Sequence, residues 1–483
     1  MVSFLISLVA LILGYFIYGK VVERVFGPDD RETPALSHTD GVDYVPLPTW
    51  RVFMIQFLNI AGTGPIFGAI MGIWFGPAAY LWIVLGCIFA GAVHDYMCGM
   101  LSMRHDGAGV PTLVGTYLGG GIKKLMLVFS LLLLMMVGVV FVYSPALILG
   151  SMVGDPLTWV IAIFAYYVLA TLLPIDKLIA RVYPIFGFSL LFMALALMVV
   201  LLWKMPHLPE VWQIAGGAQA WLPTVTDEAG RDLLGVSAFL SKHRLFPALF
   251  ITIACGAISG FHATQTPLMA RCLKSERLGR SVFYGSMITE GIVALIWAAA
   301  ASYFFYDGGW REVGGSQVAA FMAQAGTEGG KTLIQYFTAP QVVKLMCTGF
   351  LGFAGGVLAI LGVVAAPITS GDTAFRSARL ILAEFLGMEQ RKISRRLLVG
   401  VPMFLAAIGL LVWQVNSPDG FNVLWQYFGW SNQTLTVFTL WAMTVYLRRR
   451  GGRGYWITLI PALFMTAVCI TFAITSPLML GLG

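Results

Sequence analysis

A few ionisable side chains lie deep inside apolar segments, where they could carry protons or bind a polar partner. Glu290 follows Arg280 by ten residues, which places it about 15 Å into a helix that starts at the Arg280 end. A lone carboxylate in the middle of a membrane is costly as an isolated charge, so it must be protonated, paired or hydrated. Two interpretations follow: Glu290 carries a proton, or it forms a structural hydrogen bond to a neighbouring helix.

Small, hydroxyl and proline residues interrupt an apolar segment that begins near Val52. Gly62, Thr63, Gly64 and Pro65 fall close to its middle, where proline removes a backbone hydrogen bond and glycine weakens helical order. The helix is therefore predicted to break there. Unpaired N–H and C=O groups survive in hydrocarbon only inside protein or beside a water-filled cavity, so this break is a candidate binding point for something polar.

A second apolar segment, residues 254–267, contains the same mixture of glycine, hydroxyl and proline residues. Helix N-termini at such breaks present free N–H groups that favour an anion, such as a small carboxylate. His262 lies in this break: charged, it would strengthen carboxylate binding, and neutral, it could relay a proton. Alternatively it is a hydrogen-bonded histidine that braces the unwound turn. The other candidate ligands at the two breaks are Thr63, Gly64, Ser259, Gly260 and Gln265.

His94 and Asp95 lie deep in the third apolar segment, toward its inner end. Adjacent residues on a helix point about 100° apart, so the two cannot both face one pocket squarely. We expect one of them to pair with Arg104 or Arg271 at an inner gate, in a structural or gating role rather than in ion coupling.

The composition defines the broad class of protein. Of 483 residues, 58% are hydrophobic and 11% are charged, and the mean hydropathy is +0.83, whereas ordinary soluble domains have roughly 25% charged residues. The chain is therefore predicted to be an all-α polytopic membrane protein. Its net charge of +7 is explained by positive residues on inner loops, so no nucleic-acid partner is expected. The six cysteines show no metal-type spacing.

About twelve segments reach the roughly twenty apolar residues that a membrane span needs. Most Lys and Arg residues fall on inner connections if both termini face the outside, which is the orientation that we predict. The first segment lacks a basic region and a cleavage site, so it is interpreted as a retained span. The predicted spans are 2–22, 52–74, 78–101, 124–148, 157–173, 183–204, 246–270, 280–303, 345–370, 397–415, 424–447 and 456–476.

The two broken segments indicate an inverted repeat. Five spans separate the start of the first from the start of the second, so the second enters the membrane from the opposite side. Broken helices at matching positions of two inverted halves are the sequence signal of a secondary transporter's midplane site. The predicted divisions are an N-terminal extra span and inner loop (1–50), a first repeat of five spans (51–204), an outer loop (205–245), a second repeat of five spans (246–450) and a C-terminal extra span (451–483).

Seven stretches carry a family resemblance. They are GYFIYGKVVERVFGPDD with TPA (14–35), DGVDYVPLP (40–48), NIAGTGPIFGAIMG (59–72), GAVHDYMCGMLSMRHDG (91–107), GFHATQTPLMARCLKSE (260–276), APITSGDTAFRSARL (366–380) and WQYFGWSNQTL (425–435). Through them nearly the whole chain resembles the carbon starvation protein (CstA) family, in a short form without the longer C-terminal extension. The resemblance implies a bacterial inner-membrane uptake system of the amino acid/polyamine/cation superfamily, which carries pyruvate or peptides. It also implies the five-plus-five inverted repeat of the leucine transporter fold, here with one extra helix at each end.

The stretch APITSGD corresponds to the eighth core helix of that fold, and it is predicted to be interrupted at 367–372. Its adjacent hydroxyls, Thr369 and Ser370, facing carbonyls near Ala61 and Gly64, resemble the sodium site that many sodium-coupled members of the fold share. Oxygen ligands suit such a hard cation. A Ser/Thr pair can also simply cap or bend a helix.

These features predict a secondary active transporter that couples entry of H⁺ or Na⁺ to uptake of a small carboxylate, with pyruvate as the first candidate. It would alternate between outward-open and inward-open states around the two breaks. Uptake of short peptides or amino acids is the alternative. A passive channel and a membrane enzyme are further classes, and no HExxH, GxSxG or GxxxxGKS motif supports the enzyme. The expected partners are a small-molecule substrate and membrane lipids, with no cofactor beyond the coupling ion.

Overall fold

The computed structural model describes residues 1–41, 43–172, 175–227, 229–325, 327, 330–390, 392–417 and 420–482. At 172, 175–183, 354, 358 and 422 it describes the backbone alone. These residues form helices joined by turns, with one isolated β-bridge between Thr226 and Asp232. The predicted all-α class is therefore confirmed.

The first repeat follows an apolar N-terminal helix that bends at Ile17. The N-terminal elements are α1 (Val2–Phe16), α2 (Tyr18–Phe26) and α3 (Pro34–Ser37). The repeat then opens with a broken helix and ends with long apolar helices. Its elements are α4 (Thr49–Ile60), a π-helical turn (Gly64–Gly68), α5 (Ala69–Gly72), a 3₁₀ turn (Ile73–Phe75), α6 (Ala78–Gly86), a π-helical turn (Cys87–Gly91), α7 (Ala92–Arg104), α8 (Val110–Leu118), α9 (Gly120–Gly150), α10 (Pro156–Leu172) and α11 (Ile175–Lys204).

The second repeat again opens with a broken helix. The loop before it contains 3₁₀ turns at Val211–Gly216 and Ala218–Ala220 and the helix α12 (Val236–Lys242). The elements of the repeat and of the C-terminal helix are α13 (Leu245–Thr252), α14 (Gly260–Ala270), a 3₁₀ turn (Glu276–Leu278), a π-helical turn (Arg280–Tyr284), α15 (Gly285–Tyr306), α16 (Gly309–Val313), α17 (Ser316–Ala325), α18 (Leu333–Tyr336), α19 (Ala339–Phe385), α20 (Ile393–Asn416), α21 (Gly420–Arg449) and α22 (Trp456–Thr475).

Eight helices of the described chain are long and apolar enough to cross a membrane. The bent pair Thr49–Ile60 and Gly64–Phe75 would make a ninth span. The other predicted spans correspond to segments that are broken or more polar, so they do not reach the length and apolarity of a spanning helix. The protein is therefore a multi-pass membrane protein, and the count of twelve spans stays a prediction.

Ion pairs between distant loops tie together each end of the helical bundle. At one end Arg280 binds Glu23, with Nε and Oε2 2.8 Å apart. At the other end Lys204 binds Glu312, with Nζ and Oε1 2.6 Å apart. Each ion pair joins residues that the predicted topology places on the same side of the membrane. Which end faces the outside stays a prediction.

The interruption predicted at 367–372 is wrong. α19 is helical through these residues, and its single non-helical residue is Gly352 (φ 63°). Pro367 removes only the hydrogen bond to the carbonyl four residues earlier, and Ser and Thr hydroxyls can bond within such a helix without breaking it. Here Thr369 Oγ1 donates to the Ala366 carbonyl oxygen at 2.8 Å, and Thr373 Oγ1 donates to the Thr369 carbonyl oxygen at 3.2 Å.

Candidate functional site

The two predicted helix breaks are both present, and they pack directly against each other. α4 ends before Ala61, which leaves helical geometry (φ −83°, ψ 62°), and the helix resumes at Gly64 after a bend of 54°. α13 ends at Thr252, and α14 begins at Gly260. A Cβ atom on Gly64 would lie 2.4 Å from Sγ of Cys255, so the contact between the breaks leaves no room for a side chain at this point.

Glycines four residues apart produce this close approach. Gly64, Gly68 and Gly72 lie on one face of the first broken helix, and each faces the segment 252–255 of the second. Small residues at this spacing let membrane helices approach backbone to backbone. Pro65 lies in the first turn of the resumed helix, where its missing N–H interrupts no helical hydrogen bond. The glycine spacing therefore holds the two breaks side by side.

Several polar atoms near the breaks are buried without a hydrogen-bond partner among the described residues. They include both polar atoms of the Asn59 carboxamide, the Thr63 hydroxyl, the Gln265 carbonyl oxygen, His262 Nε2 and both Glu290 carboxylate oxygens. The Gln265 amide does donate to Thr264 Oγ1 at 2.9 Å. Because buried polar groups are nearly always hydrogen-bonded, these atoms indicate a place where a polar ligand or water completes the bonding.

A side chain from α21 that sequence reasoning missed caps the N-terminus of α14. Asn432 Oδ1 accepts hydrogen bonds from the Ser259 hydroxyl (3.1 Å) and the Phe261 N–H (2.6 Å). Gly260 lies against the same helix, because a Cβ there would be 2.3 Å from the Asn432 carbonyl oxygen. The available signal was a polar residue inside a predicted membrane span. α21 therefore positions Ser259 and Gly260.

An ionisable cluster adjoins the second break. Asp95 lies between two imidazoles: its Oδ1 is 2.8 Å from Nδ1 of His94, and its Oδ2 is 2.9 Å from Nδ1 of His262. Nε2 of His262 is 3.4 Å from Oε2 of Glu290. All four side chains are fully buried. His262 therefore connects two carboxylates inside the bundle.

The predicted pairing of His94 or Asp95 with an arginine is wrong. Asp95 reaches one imidazole with each carboxylate oxygen, so the 100° between adjacent helix positions does not keep it from His94. Arg104 and Arg271 bond instead to loop groups at the Arg280 end of the bundle. The prediction failed because Asp95 pairs with two histidines, the adjacent His94 and His262 at the second break.

Arg104 and Arg271 join loops that are distant in sequence. Nε and Nη2 of Arg104 each lie 2.9 Å from an oxygen of Glu276, and Nη2 also donates to the Gly27 carbonyl oxygen. Arg271 Nε donates to the Gly107 carbonyl oxygen at 2.8 Å. These contacts close the Arg280 end of the bundle, and a gating role for the two arginines stays a prediction.

The hydroxyl pair of α19 lies against the first break. Ser370 Oγ donates to the Leu58 carbonyl oxygen at 2.8 Å, in the last turn of α4. A Cβ on Gly62 would lie 3.4 Å from Ser370 Oγ. Thr369 Oγ1 donates within its own helix. The structure therefore brings a hydroxyl next to the first break, and binding of an ion there stays a prediction.

Aromatic side chains also pack at the first break, although sequence reasoning did not single them out. Phe141 of α9 lies against Gly62, where a Cβ would be 2.6 Å from its ring. Its ring centroid is 6.2 Å from that of Phe261 and 6.3 Å from that of Phe428, and both pairs are edge to face. Such pairs add stability beyond burial. An aromatic ring therefore bounds the space beside the first break.

Two broken helices in inverted halves, meeting at buried polar groups, define the class of secondary transporters. Solved transporters share this fold. The chain is similar to a manganese transporter of Eremococcus coleocola (TM-score 0.54, 12% identity, covering 91% of this chain and 90% of that one). It is also similar to MhsT in complex with L-phenylalanine (TM-score 0.54, 14% identity, 87% and 97% covered).

The chain belongs to the carbon starvation protein CstA family, whose model matches residues 1–146, 142–307 and 318–472. An uncharacterized membrane protein of Haemophilus influenzae is 44% identical over 63% of this chain and 91% of that protein. The peptide transporter CstA of Escherichia coli is 26% identical (96% and 79% covered), and the pyruvate/proton symporter BtsT of the same species is also 26% identical (92% and 76%). The protein is therefore a secondary transporter and not an enzyme.

Proposed function

We propose that this protein is a proton-coupled symporter that takes up a small carboxylate, with pyruvate as the first candidate, across the bacterial inner membrane. Both termini would face the outside. The two helix breaks would hold the substrate while the protein alternates between outward-open and inward-open states. The observation that carries the proposal is the buried line of contacts from Asp95 through His262 to Glu290.

The charge balance of this cluster supports proton coupling. With His94 neutral, two ionised carboxylates and the His262 imidazolium would leave one net negative charge in the membrane interior, where an unbalanced charge is costly. One more proton on either carboxylate removes that charge. His262 hydrogen-bonds Asp95 through Nδ1, and its Nε2 lies 3.4 Å from Glu290 Oε2 without a hydrogen bond between them. A slight approach of these two atoms would give a proton a route between the acids.

The helix ends at the breaks support an anionic substrate. One helical segment starts at Gly64 and another at Gly260, and the positive end of each helix favours an anion. Asn432 Oδ1 already accepts from the Phe261 N–H, which shows that this end binds an oxygen acceptor. A carboxylate oxygen in its place would gain a charge-assisted hydrogen bond. A relative named as a pyruvate/proton symporter agrees with this choice.

Specific observations favour two alternatives. Several relatives carry the name peptide transporter CstA, which favours peptides as substrate. The Phe141 ring against Gly62 favours the smaller carboxylate, because it fills space beside the first break. Sodium is the alternative coupling ion, because Ser370 presents a hydroxyl oxygen beside the Leu58 carbonyl oxygen, and hard cations prefer oxygen ligands.

Uptake into proteoliposomes tests the function directly. Purified protein is reconstituted, and uptake of labelled pyruvate, alanine and dialanine is followed under an imposed pH gradient, an imposed sodium gradient or neither. We expect pyruvate to accumulate above its outside concentration only with the pH gradient. If dialanine accumulates and pyruvate does not, the substrate is a peptide and not pyruvate. If only the sodium gradient drives accumulation, the coupling ion is sodium and not the proton. Uptake that stops at equal concentrations under every gradient would reject a symporter.

Glu290→Gln tests the proton site. For one proton per substrate, a gradient of one pH unit stores about 1.4 kcal/mol and drives about tenfold accumulation. Glutamine keeps the shape and the hydrogen-bonding capacity of the side chain but cannot ionise. We therefore expect accumulation to disappear in the variant, while exchange of labelled for unlabelled pyruvate continues. Retained exchange distinguishes loss of coupling from loss of folding.

Glu312→Gln is the matched control. Glu312 is 46% exposed and pairs with Lys204 at the end of the bundle, so its neutral variant should accumulate pyruvate as the wild type does. An unchanged pH dependence in Glu290→Gln would contradict the proton assignment. Coupling would then move to Thr369 and Ser370, which Ser370→Ala under a sodium gradient would test.

A further inference from the structure

An apolar cleft of about 610 Å³ opens on the lipid-facing surface of the bundle. Side chains of α2, of α6 and the π-helical turn after it, of α13 and of α22 form its walls. Its lining includes Tyr18, Leu85, Phe89, Leu249 and Ile460. The cleft follows the chain from Ala78 in α6 to Ala90 in the π-helical turn after it, which is about 18 Å at 1.5 Å per residue. We propose that it is a defined site for an acyl chain of an anionic phospholipid.

The shape of the cleft distinguishes it from the rest of the lipid-facing surface. Leu85 and Ile460 are 50% and 63% exposed, as are many side chains on the outside of the bundle. In a membrane, an acyl chain gains little by leaving other lipids for a flat protein surface, because both surroundings are apolar. Its binding to the protein therefore depends on packing. A concave wall contacts a chain on several sides and increases the number of those contacts.

Basic residues gather at one end of the cleft. Trp456 lines the cleft and stacks on Tyr455 (centroids 5.2 Å apart), and the Arg448 guanidinium lies 5.5 Å from the Tyr455 ring centroid. α2 lies beside the same loop, because a Cβ on Gly454 would be 2.5 Å from Cγ1 of Val25. The exposed basic residues of these elements are Lys20, Arg24, Arg448, Arg449, Arg450 and Arg453. Positive side chains at the membrane surface attract anionic headgroups.

The acidic residue of α2 does not neutralise this group. Glu23 bonds to Arg280 instead, with Oε2 and Nε 2.8 Å apart. The cleft therefore offers an apolar groove for the chain and unneutralised positive charge for the headgroup. An anionic phospholipid combines the two complementary features, whereas a second copy of this chain would bring the same positive residues together.

The cleft also reaches the second helix break. Trp82 lines it, and Trp82 Nε1 donates to the carbonyl oxygen of Ile253, the first residue of that break, at 2.9 Å. Leu249 and Phe250, in the last turn of α13, form part of the same wall. A bound chain would therefore support the helix that ends at the break and would stabilise the folded protein through binding linkage.

Photolabelling tests the site independently of transport. The full-length protein in phosphatidylcholine nanodiscs is labelled with phosphatidylglycerol that carries a diazirine on its acyl chain, and the labelled residues are mapped by mass spectrometry. We expect labels to concentrate on α6, α13 and α22, and Ile460→Trp, which fills the cleft, to reduce them. Leu405→Trp on α20, at a position that is 64% exposed, is the matched control and should leave the pattern unchanged.

The headgroup preference is tested by competition. Unlabelled phosphatidylglycerol should displace the probe better than phosphatidylcholine does, and the preference should fall about fivefold for each basic residue removed, as in Lys20→Gln and Arg453→Gln. Lys392→Gln, an exposed basic residue before α20, should not change it. Labels spread evenly over the lipid-facing helices, equal competition by phosphatidylcholine, or cross-links at the cleft between two copies of the chain would each overturn the proposal.

Discussion

Gly64→Ala perturbs the contact between the two helix breaks. The added Cβ would lie 2.4 Å from both Cβ and Sγ of Cys255, which is 1.0 Å short of the 3.4 Å at which ordinary contact begins. Overpacking of this kind costs about 1–3 kcal/mol. Because Cys255 belongs to the second break, the cost falls on the state in which the breaks touch. A difference of that size changes the relative population of two states by about 5- to 150-fold.

The assay is uptake of labelled pyruvate into proteoliposomes under a pH gradient, with the unfolding temperature in detergent measured beside it. We expect Gly64→Ala to lower the uptake rate by about tenfold, in the middle of that range, while the protein remains folded. Cys255→Gly removes both clashing atoms and leaves its Cα 3.8 Å away. The double variant Gly64→Ala/Cys255→Gly should therefore recover most of the lost uptake relative to Cys255→Gly alone.

Gly409→Ala is the matched control for a methyl group added to a membrane helix. Gly409 lies in α20, and a Cβ there would meet nothing within 4 Å, so uptake should be unchanged. Wild-type uptake in Gly64→Ala would refute the idea that the breaks must touch during transport. A double variant as slow as Gly64→Ala would show that the loss comes from the helix backbone and not from the contact with Cys255.

Two further variants test other parts of the molecule. Phe141→Ala removes the ring that lies against Gly62, so uptake of dialanine relative to pyruvate should rise; an unchanged ratio would show that the ring does not limit substrate size. Partial burial raises the pKa of Glu210, but hydrogen bonds from the Met1 ammonium and from Ser3 outweigh it and hold the pKa below its usual value. The stabilisation by Glu210 is present above the pKa that its carboxyl has in the unfolded chain, and it is lost as the pH falls through the lowered pKa of the folded protein. The unfolding temperature of Glu210→Gln should therefore fall less at acid pH than that of the wild type. An equal fall in both proteins would contradict the assignment.

The helix breaks could be predicted from sequence because their cause is local. Gly62, Gly64 and Pro65 weaken a helix wherever they occur together inside an apolar segment. The same reasoning failed at Pro367, where a single proline removes one hydrogen bond and the helix continues. A proline without clustered glycines is therefore a weaker signal of a break in a membrane helix.

The ionisable cluster could not be predicted locally, because His262 and Asp95 are 167 positions apart. A signal did exist in the inverted repeat. Asp95 comes 31 residues after Gly64, where the first broken helix resumes, and Glu290 comes 30 residues after Gly260, where the second resumes. Each carboxylate thus lies in the span that comes next after a broken helix, Asp95 in α7 and Glu290 in α15.

In the predicted repeat the two acids therefore stand at nearly corresponding positions. His262, two residues after the start of α14, lies between them. Because α14 starts at the second break, any change in the proton held by Asp95, His262 or Glu290 alters the hydrogen bonding of the first turn after that break. The backbone N–H groups that we propose bind the substrate, and the proposed proton site, then belong to one short stretch of chain. Coupling between proton and substrate needs no long pathway in this arrangement, since both act on the same helix end.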